Sequence, residues 1–317
     1  MHFWQWGYLL ETHNERILMS LSPWFITGLA DSEGSFSWSI TRNPKVKLGW
    51  TLGPAFNLTM HVRETALLIK VQSFFNGAGT IKFSRGFVYY DVRSIKDLLV
   101  IIQHFTLFPL VTHKRHMFSI FVMVFNIYIK KGHLTVVGFM QCVRYINVLN
   151  KAIKPETLTD IIKQYGNLPL LVLPPVCVDI LYTLNPYWIV GFVSGEGCFT
   201  YGAQESRRRA YNNYVLCFEV SQSPIDNRVL LRIARYIGTG RLYPKRNRVS
   251  RIRRGAIVNI QHFVLPFFYH HPFPDCRFKS LQYKAWLKAA ELILMCPKHT
   301  VARQNQLAEL LTRLSSL

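Results

Sequence analysis

Acidic residues are scarce in this sequence. Its 317 residues include only 17 Asp and Glu against 38 Lys and Arg, which leaves a net charge of +21. An excess of this sign favours an anionic partner, either nucleic acid or an acidic membrane surface.

Long apolar runs are also lacking. The best run, 117–129, is interrupted by Ser119 and Asn126 and falls short of the roughly 18 residues that a membrane-spanning helix needs. We interpret it as a buried helix and expect no membrane partner.

Paired cysteines are missing as well. The six cysteines form no C-x-x-C pair, which argues against a disulfide framework and a zinc site and fits reduced thiols in an intracellular compartment. The eleven histidines show no metal-ligand spacing. Residues 1–19 lack a basic n-region and a small-residue cleavage site, so we interpret them as an N-terminal leader rather than a secretory signal.

A duplicated segment is the strongest positive feature of the sequence. Residues 22–36 read SPWFITGLADSEGSF, and residues 185–199 read NPYWIVGFVSGEGCF. Every paired position is offset by 163 residues, as expected for an internal repeat. The identical pairs include Pro23 with Pro186, Gly28 with Gly191, Glu33 with Glu196, Gly34 with Gly197, and Phe36 with Phe199.

Further landmarks follow in the same order downstream of both copies. They pair Phe56, Leu58 and Met60 with Phe218, Val220 and Gln222, Gly77 and Gly79 with Gly238 and Gly240, and Pro109 and Lys114 with Pro274 and Lys279. The offset drifts from 163 to 161 and then to 165, as loop insertions and deletions would produce. We therefore expect two homologous domains, at 20–150 and 186–317, joined by a proline-containing linker at 151–185.

Each copy of the motif predicts a helix of roughly ten residues. A polar residue that can cap the helix is followed by proline, which suits the first turn, and glycine then stops the helix. The start and stop residues are Ser22, Pro23 and Gly34 in the first copy and Asn185, Pro186 and Gly197 in the second. The glycine in the middle of each helix costs about 1 kcal/mol of helix propensity, which indicates a close backbone approach. The simplest partner for this close approach is the other copy of the same helix.

Such a pair of helices would carry Glu33 and Glu196 to the same place. Carboxylates are hard oxygen ligands that Mg²⁺ accepts when a substrate phosphate supplies further oxygens. A negative charge at a helix C-terminus is otherwise unfavourable, and here it recurs in both copies. The motif therefore predicts metal-assisted hydrolysis of a phosphodiester.

The sequence after each helix predicts strands that contact nucleic acid. Residues 35–41 alternate strictly between polar and apolar, as a half-buried strand requires. In the second copy a hairpin is predicted over 240–260, where a two-stranded ribbon would fit the major groove. Its stretch 241–254 contains no acidic residue and seven basic ones, namely Arg241, Lys245, Arg246, Arg248, Arg251, Arg253 and Arg254.

Both motifs resemble the LAGLIDADG signature of homing endonucleases, and the resemblance covers both predicted domains. It implies an α+β fold with two pseudo-symmetric αββαββα domains in one chain. Each domain would have a saddle-shaped antiparallel sheet on the DNA, and the motif helices would form the interface. The implied activity is Mg²⁺-dependent cleavage of both strands of a long duplex target to leave 3′ overhangs. Ca²⁺ would support binding without cleavage. Family members are typically encoded in organellar introns, which implies a mitochondrial protein acting as a monomer.

The resemblance also assigns roles to individual residues. Glu33 and Glu196 correspond to the metal-binding acids, with the carbonyls of Ser32 and Gly195 as additional ligands. Lys114 and Lys279 correspond to the basic residues near the scissile phosphates, and Gln222 to the glutamine that positions solvent. Candidate DNA contacts are hydroxyl, aromatic and basic residues of the strands and loops: Ser35, Ser37, Ser39, Thr41, Lys45, Lys82, Arg85, Tyr201, Arg207, Arg241, Lys245, Arg246, Arg248, Arg251 and Arg253.

Two positions depart from the family pattern. Met60 stands where a polar residue is common, which leaves neighbouring His61 as a possible substitute, and Ser194 replaces the acid found at Asp31. Neither change removes a metal-binding carboxylate. Two alternatives within the same fold stay open: a maturase that binds host intron RNA, and a DNA-binding protein that has lost cleavage.

Overall fold

Two similar α+β units follow one another in the computed structural model, which describes residues 21–150, 152–173, 183–204, 213–245, 249–274, 277–296 and 300–315. The first unit consists of α1 Pro23–Glu33, β1 Gly34–Arg42, β2 Trp50–His61, α2 Thr65–Phe74, β3 Thr80–Ser84, β4 Phe87–Val92 and α3 Ile95–Leu107. Three helices follow it: α4 Lys114–Ile129, α5 Val136–Leu149 and α6 Pro155–Tyr165. The helix α6 and its buried Ile161 fall within the stretch predicted as a linker.

The second unit repeats the order of the first. It consists of α7 Pro186–Glu196, β5 Gly197–Gln204, β6 Asn213–Gln222, α8 Asn227–Ile237, β7 Arg241–Lys245 and β8 Val249–Arg254. Two short helices, α9 Ile257–Asn259 and α10 Leu265–His270, flank a π-helical turn at Ile260–Val264. The long helices α11 Arg277–Met295 and α12 Val301–Ser315 come last. The predicted pair of αββαββα domains is thus confirmed.

Each unit contains one four-stranded antiparallel sheet. The strand orders are β1-β2-β4-β3 and β5-β6-β8-β7, so equivalent strands occupy equivalent places. Phe36 of β1 pairs with Phe56 of β2, and Phe199 of β5 pairs with Phe218 of β6. These aromatic side chains are buried under the helices. Pro244 lies on the edge strand β7, where proline removes no ladder hydrogen bond from the sheet interior.

The alternation of β1 follows the predicted pattern. Phe36 and Trp38 are buried, whereas Ser35 and Ser39 are exposed on the opposite face. Residues directly opposite on neighbouring strands share a face, so the serine face continues across β2 and β4 to β3. One face of the sheet therefore packs on the helices and the other is open.

Two details differ from the sequence-based expectations. Ser22 precedes α1 as predicted, but its side chain makes no capping hydrogen bond, whereas the Asn185 side chain accepts one from the backbone N–H of Tyr187 at 2.9 Å. The hairpin predicted over 240–260 is too long, because β8 ends at Arg254 and a helix begins at Ile257. Within the described residues, no helix is both long and apolar enough to cross a membrane.

Candidate active site

The helices α1 and α7 pack together through their central glycines. A Cβ atom on Gly28 would lie 2.1 Å from the Trp188 carbonyl oxygen, and one on Gly191 would lie 2.1 Å from the Phe25 carbonyl oxygen. Both distances are too short for any side chain, so the two backbones are in direct contact. The predicted close approach of the motif helices is confirmed, and it is reciprocal.

The helix ends bring two carboxylates to one place. Glu33 and Glu196 are the last residues of α1 and α7, and the chain enters β1 and β5 at the next residue. A Cβ atom on Gly195 would lie 2.6 Å from Glu33 Oε1 and 2.5 Å from Ser32 Oγ. The Glu33 carboxylate therefore occupies a space at the end of α7 that exists because residue 195 is glycine.

The two carboxylates perturb one another. Burial and, to a lesser extent, the nearby Glu33 carboxylate raise the pKa of Glu196 to about 7, against the opposing effects of Lys114 and Gln222. Burial also raises the pKa of Glu33, although Lys114 and Lys279 oppose the increase. The neighbouring protein groups thus compensate only partly for the cost of placing two acids side by side.

Two equivalent lysines reach the motif segments from outside. Lys114, the first residue of α4, donates from Nζ to the carbonyl oxygen of Ser32 at 2.9 Å and to that of Ala30 at 3.2 Å. Lys279, in the first turn of α11, donates from Nζ to the carbonyl oxygen of Gly197 at 2.6 Å. Burial lowers the pKa of Lys114, and the surrounding carboxylates oppose that decrease. The Ser32 carbonyl, predicted as a metal ligand, accepts a lysine hydrogen bond in this structure.

One position near the end of the second strand of each domain differs between the two domains. Gln222, at the end of β6, donates from Nε2 to Glu196 Oε1 at 3.3 Å, while its own Oε1 accepts from the Ser223 N–H at 2.8 Å. Met60 is buried at the equivalent place in β2. His61 Nδ1 accepts from the backbone N–H of Arg63 at 3.3 Å, so His61 caps the turn after β2.

Asp31 holds a network that the sequence did not reveal. It is fully buried and accepts four hydrogen bonds, from the Val111 N–H, the Thr112 N–H and hydroxyl, and Trp188 Nε1. Burial raises the pKa of Asp31 in spite of these donors. The network links α1, α7 and the segment that leads into Lys114. Ser194, at the equivalent place in α7, donates only to the Val190 carbonyl of its own helix.

The open face of the first sheet carries several of the candidate DNA contacts. Ser35, Ser39 and Thr41 are exposed and Ser37 is half-buried, and Lys45 and Arg85 are exposed in loops. Lys82 pairs with the buried carboxylate of Asp91, which also accepts from Arg93 Nε at 2.8 Å and lies on the same face. This carboxylate was not predicted from the sequence, and it holds two basic side chains in place.

The second sheet carries a similar arrangement. Arg251 donates to Glu219 Oε2 at 3.0 Å, Arg253 Nε donates to Cys217 Sγ at 2.9 Å, and Arg241 is exposed. Tyr201 lies on β5 opposite Leu216, and Lys245 lies on β7 opposite Val249. Arg207, Arg246 and Arg248 were also predicted to contact DNA and lie outside the described residues.

Known proteins are similar to this chain in sequence and in fold. The LAGLIDADG endonuclease family matches residues 26–125 and 189–290, one copy in each unit. A probable intron-encoded endonuclease 3 of Neurospora crassa is 31% identical over 96% of this chain. A probable intron-encoded endonuclease 2 of the same species is 26% identical over 95% of it. The chain spans 56% of the first relative's length and 67% of the second's.

Solved structures of homing endonucleases are also similar to this chain. The enzyme I-SmaMI, bound to an uncleaved DNA target in the presence of calcium ions, is 27% identical with a TM-score of 0.84, covering 93% of this chain and 99% of its own. The homing endonuclease I-GzeII, in complex with its DNA target, is 26% identical with a TM-score of 0.79, covering 92% of this chain and 97% of its own. On these matches, and on the paired motif helices that end in two carboxylates, the chain belongs to the LAGLIDADG endonuclease family.

Proposed function

We propose that this protein is a site-specific DNA endonuclease that uses divalent metal to hydrolyse both strands of a long duplex target. The observation that carries the proposal is the convergence of Glu33 and Glu196 at the ends of two helices in backbone contact. The first strand of each four-stranded sheet begins directly after its glutamate, and the chain carries a net charge of +21. Such a charge draws DNA to the protein through its phosphates.

The donor set at the helix ends suits a hard divalent cation. Glu33 and Glu196 would provide carboxylate oxygens and Ser32 and Gly195 would provide backbone carbonyls, while Gly195 leaves room for the Glu33 carboxylate. Burial raises the pKa of both acids, and the nearby lysines offset the rise only in part. Mg²⁺ keeps several waters and takes few protein ligands, so phosphate oxygens of DNA would complete its shell. A bound Mg²⁺ would supply an activated water and stabilise the leaving oxygen.

The neighbouring side chains would act on the attacking and leaving groups. Gln222, whose amide lies against Glu196, would orient water on its side of the site. Lys114 and Lys279 would exchange their carbonyl partners for phosphate oxygens once DNA is bound, because a lysine Nζ has three donors and a mobile stem. Their positive charge would stabilise the negative charge that develops during hydrolysis.

The finer features of the function follow the family resemblance. We propose that the two cuts leave 3′ overhangs, that one chain acts as a monomer because it contains both motifs, and that a mitochondrial intron encodes it. Two relatives support the last point: a protein of Podospora anserina named for an ND4 intron and a Schizosaccharomyces pombe endonuclease named Cox1-I1b. The domain limits 20–150 and 186–317 also remain a proposal.

The direct test is cleavage of a linear duplex that carries the uninterrupted host-gene sequence around the insertion point. We expect discrete double-strand cleavage with Mg²⁺, binding without cleavage with Ca²⁺, and fragment ends that sequencing identifies as 3′ overhangs. Binding should weaken steeply with salt, because neutralising many phosphates releases counterions. Tight binding without cleavage in Mg²⁺ would contradict the proposal and favour a DNA-binding protein or a maturase, for which intron RNA is the next ligand to try.

A further inference from the structure

Each domain contributes one carboxylate that binds the start of a helix in the other domain. That helix carries the candidate active-site lysine of its own domain. Asp226 follows β6 in the second domain, and it accepts hydrogen bonds from the His113 backbone N–H at 2.8 Å and from His113 Nδ1 at 2.6 Å. His113 is the residue immediately before Lys114, which begins α4. The Asp226 side chain is only 4% exposed.

The first domain returns the same contact. Glu64 follows β2, is buried, and accepts hydrogen bonds from the backbone N–H groups of Phe278 and Lys279 in the first turn of α11. The guanidinium of neighbouring Arg63 lies over the Phe278 ring, 3.2 Å from its centroid. Backbone N–H groups in the first turn of a helix lack helical acceptors, and the helix dipole favours an anion there. Each carboxylate therefore caps a helix of the opposite domain.

The two carboxylates occupy equivalent places in the repeat. Each ends a single 3₁₀ turn, Val62–Glu64 or Pro224–Asp226, four residues after Met60 or Gln222. In the second domain, the segment 222–226 thus contacts Glu196 at one end and the Lys114 helix at the other. A carboxylate thus binds backbone N–H at the start of a helix twice across the domain boundary, once in each direction.

We infer that Asp226 and Glu64 are positioning residues, each of which fixes the active-site lysine of the opposite domain and so makes each half of the site depend on correct docking of the other half. The inference rests on the proposed endonuclease function. Each lysine has its helix start held by one domain and its Nζ by the motif segment of its own domain. Losing the cap should therefore release one lysine while leaving the other in place.

The experiment compares strand preference among variants. Duplex carrying the uninterrupted host-gene site is labelled with a different fluorophore on each strand, and the rate of each cut is measured in Mg²⁺. We expect Asp226→Ala to slow about tenfold the same strand that Lys114→Met slows, because a lost charged hydrogen bond corresponds to about that factor. Glu64→Ala should slow the strand that Lys279→Met slows. Affinity in Ca²⁺ should change by no more than about twofold, because the caps lie outside the DNA-facing strands.

A second readout does not depend on cleavage. Acetylation of lysines in the free protein, followed by peptide mass spectrometry, measures the access to each Nζ. Asp226→Ala should increase labelling of Lys114 about threefold or more without changing Lys279, and Glu64→Ala should do the reverse. Asp226→Asn keeps an oxygen acceptor for the His113 N–H and should give smaller changes in the same direction. Glu156→Ala, which removes an exposed carboxylate from α6, is the matched control.

The outcomes separate the inference from the proposed function. Equal slowing of both strands, or equal exposure of both lysines, would show that the carboxylates only hold the domains together and would overturn the inference. No change in either readout would overturn it as well. A wild-type protein that fails to cut would contradict the proposed function, and lysine labelling would then decide the inference alone.

Discussion

Asp31 of the first motif helix accepts a hydrogen bond at 2.8 Å from the indole Nε1 of Trp188 in the second motif helix. The same carboxylate accepts three more hydrogen bonds from Val111 and Thr112. Because Thr112 lies two residues before Lys114, Asp31 joins the helix interface to the placement of a candidate active-site group. The two functions of the motif helix, packing and positioning, thus share one buried acid.

Replacing Asp31 should destabilise the protein strongly. We expect Asp31→Ala to lower the free energy of unfolding by about 3 kcal/mol or more, because it leaves four buried donors without an acceptor. Urea unfolding followed by tryptophan fluorescence measures the change. Ser194→Ala is the matched control, since its hydroxyl bonds only within its own helix, and it should cost less than about 1 kcal/mol. Equal losses in the two variants would show that the network contributes little.

The glycines at the helix crossing should not tolerate alanine. Alanine favours a helix over glycine by about 1 kcal/mol, but its Cβ would overlap the Trp188 or Phe25 carbonyl oxygen. Separating two packed backbones costs more than this gain, so we expect Gly28→Ala and Gly191→Ala each to destabilise the protein by about 3 kcal/mol. Thermal unfolding provides the measurement. A variant as stable as the wild type would mean that the helices can move apart freely.

Gln222 should affect one half of the site. Gln222→Met reproduces in the second domain the residue found at Met60, and it removes the amide that contacts Glu196. We expect cleavage of one strand to slow about tenfold, the factor that corresponds to one lost hydrogen bond in the transition state. Strand-resolved rates in Mg²⁺ measure the effect, with Ca²⁺-supported binding as the control. Unchanged rates on both strands would remove Gln222 from the reaction.

His104 should make stability depend on pH. It is buried beside Thr27 Oγ1, and burial lowers the pKa of His104 to about 4 from its ordinary value near 6.5. Between these values the unfolded chain binds a proton that the folded protein rejects. The contribution of neutral, buried His104 to the free energy of unfolding is therefore present in full above about pH 6.5. It falls by up to about 3 kcal/mol as the pH approaches 4.

The measurement compares wild type with His104→Gln, which does not titrate. Urea unfolding at several pH values between about 4.5 and 7 gives the stability of each protein. We expect the wild type to lose more stability than the variant as the pH falls. Parallel curves for the two proteins would show that His104 accepts a proton without cost in the folded state.

The sequence predicted the architecture well because the fold is duplicated. The repeat located both motif helices, and the cost of a central glycine indicated the backbone contact that Gly28 and Gly191 make. The strict alternation of 35–41 identified β1 and its open face. The predicted hairpin extended too far, because the apolar residues after Arg254 fit a strand and a short helix equally well.

The acids that bind distant backbone groups were not predicted from the sequence. Asp31 contacts Val111 and Thr112 some 80 residues away, and Asp226 contacts His113 across the domain boundary. No local pattern encodes such distant partners. A signal was nevertheless present: Glu64 and Asp226 have the same offset as Met60 and Gln222, so they belong to the repeat and differ only by one methylene.

We propose above all that Glu33 and Glu196 together hold the metal ion that the protein uses to cut DNA. The most direct test is strand-resolved cleavage of the host-gene duplex by Glu33→Gln and Glu196→Gln in Mg²⁺, with binding measured in Ca²⁺. Each change removes a negative charge but keeps the size of the side chain, so the helix packing should survive. We expect both variants to lose strand cleavage while binding the duplex nearly as tightly as the wild type. Retained cleavage in either variant would contradict the assignment of the metal ligands.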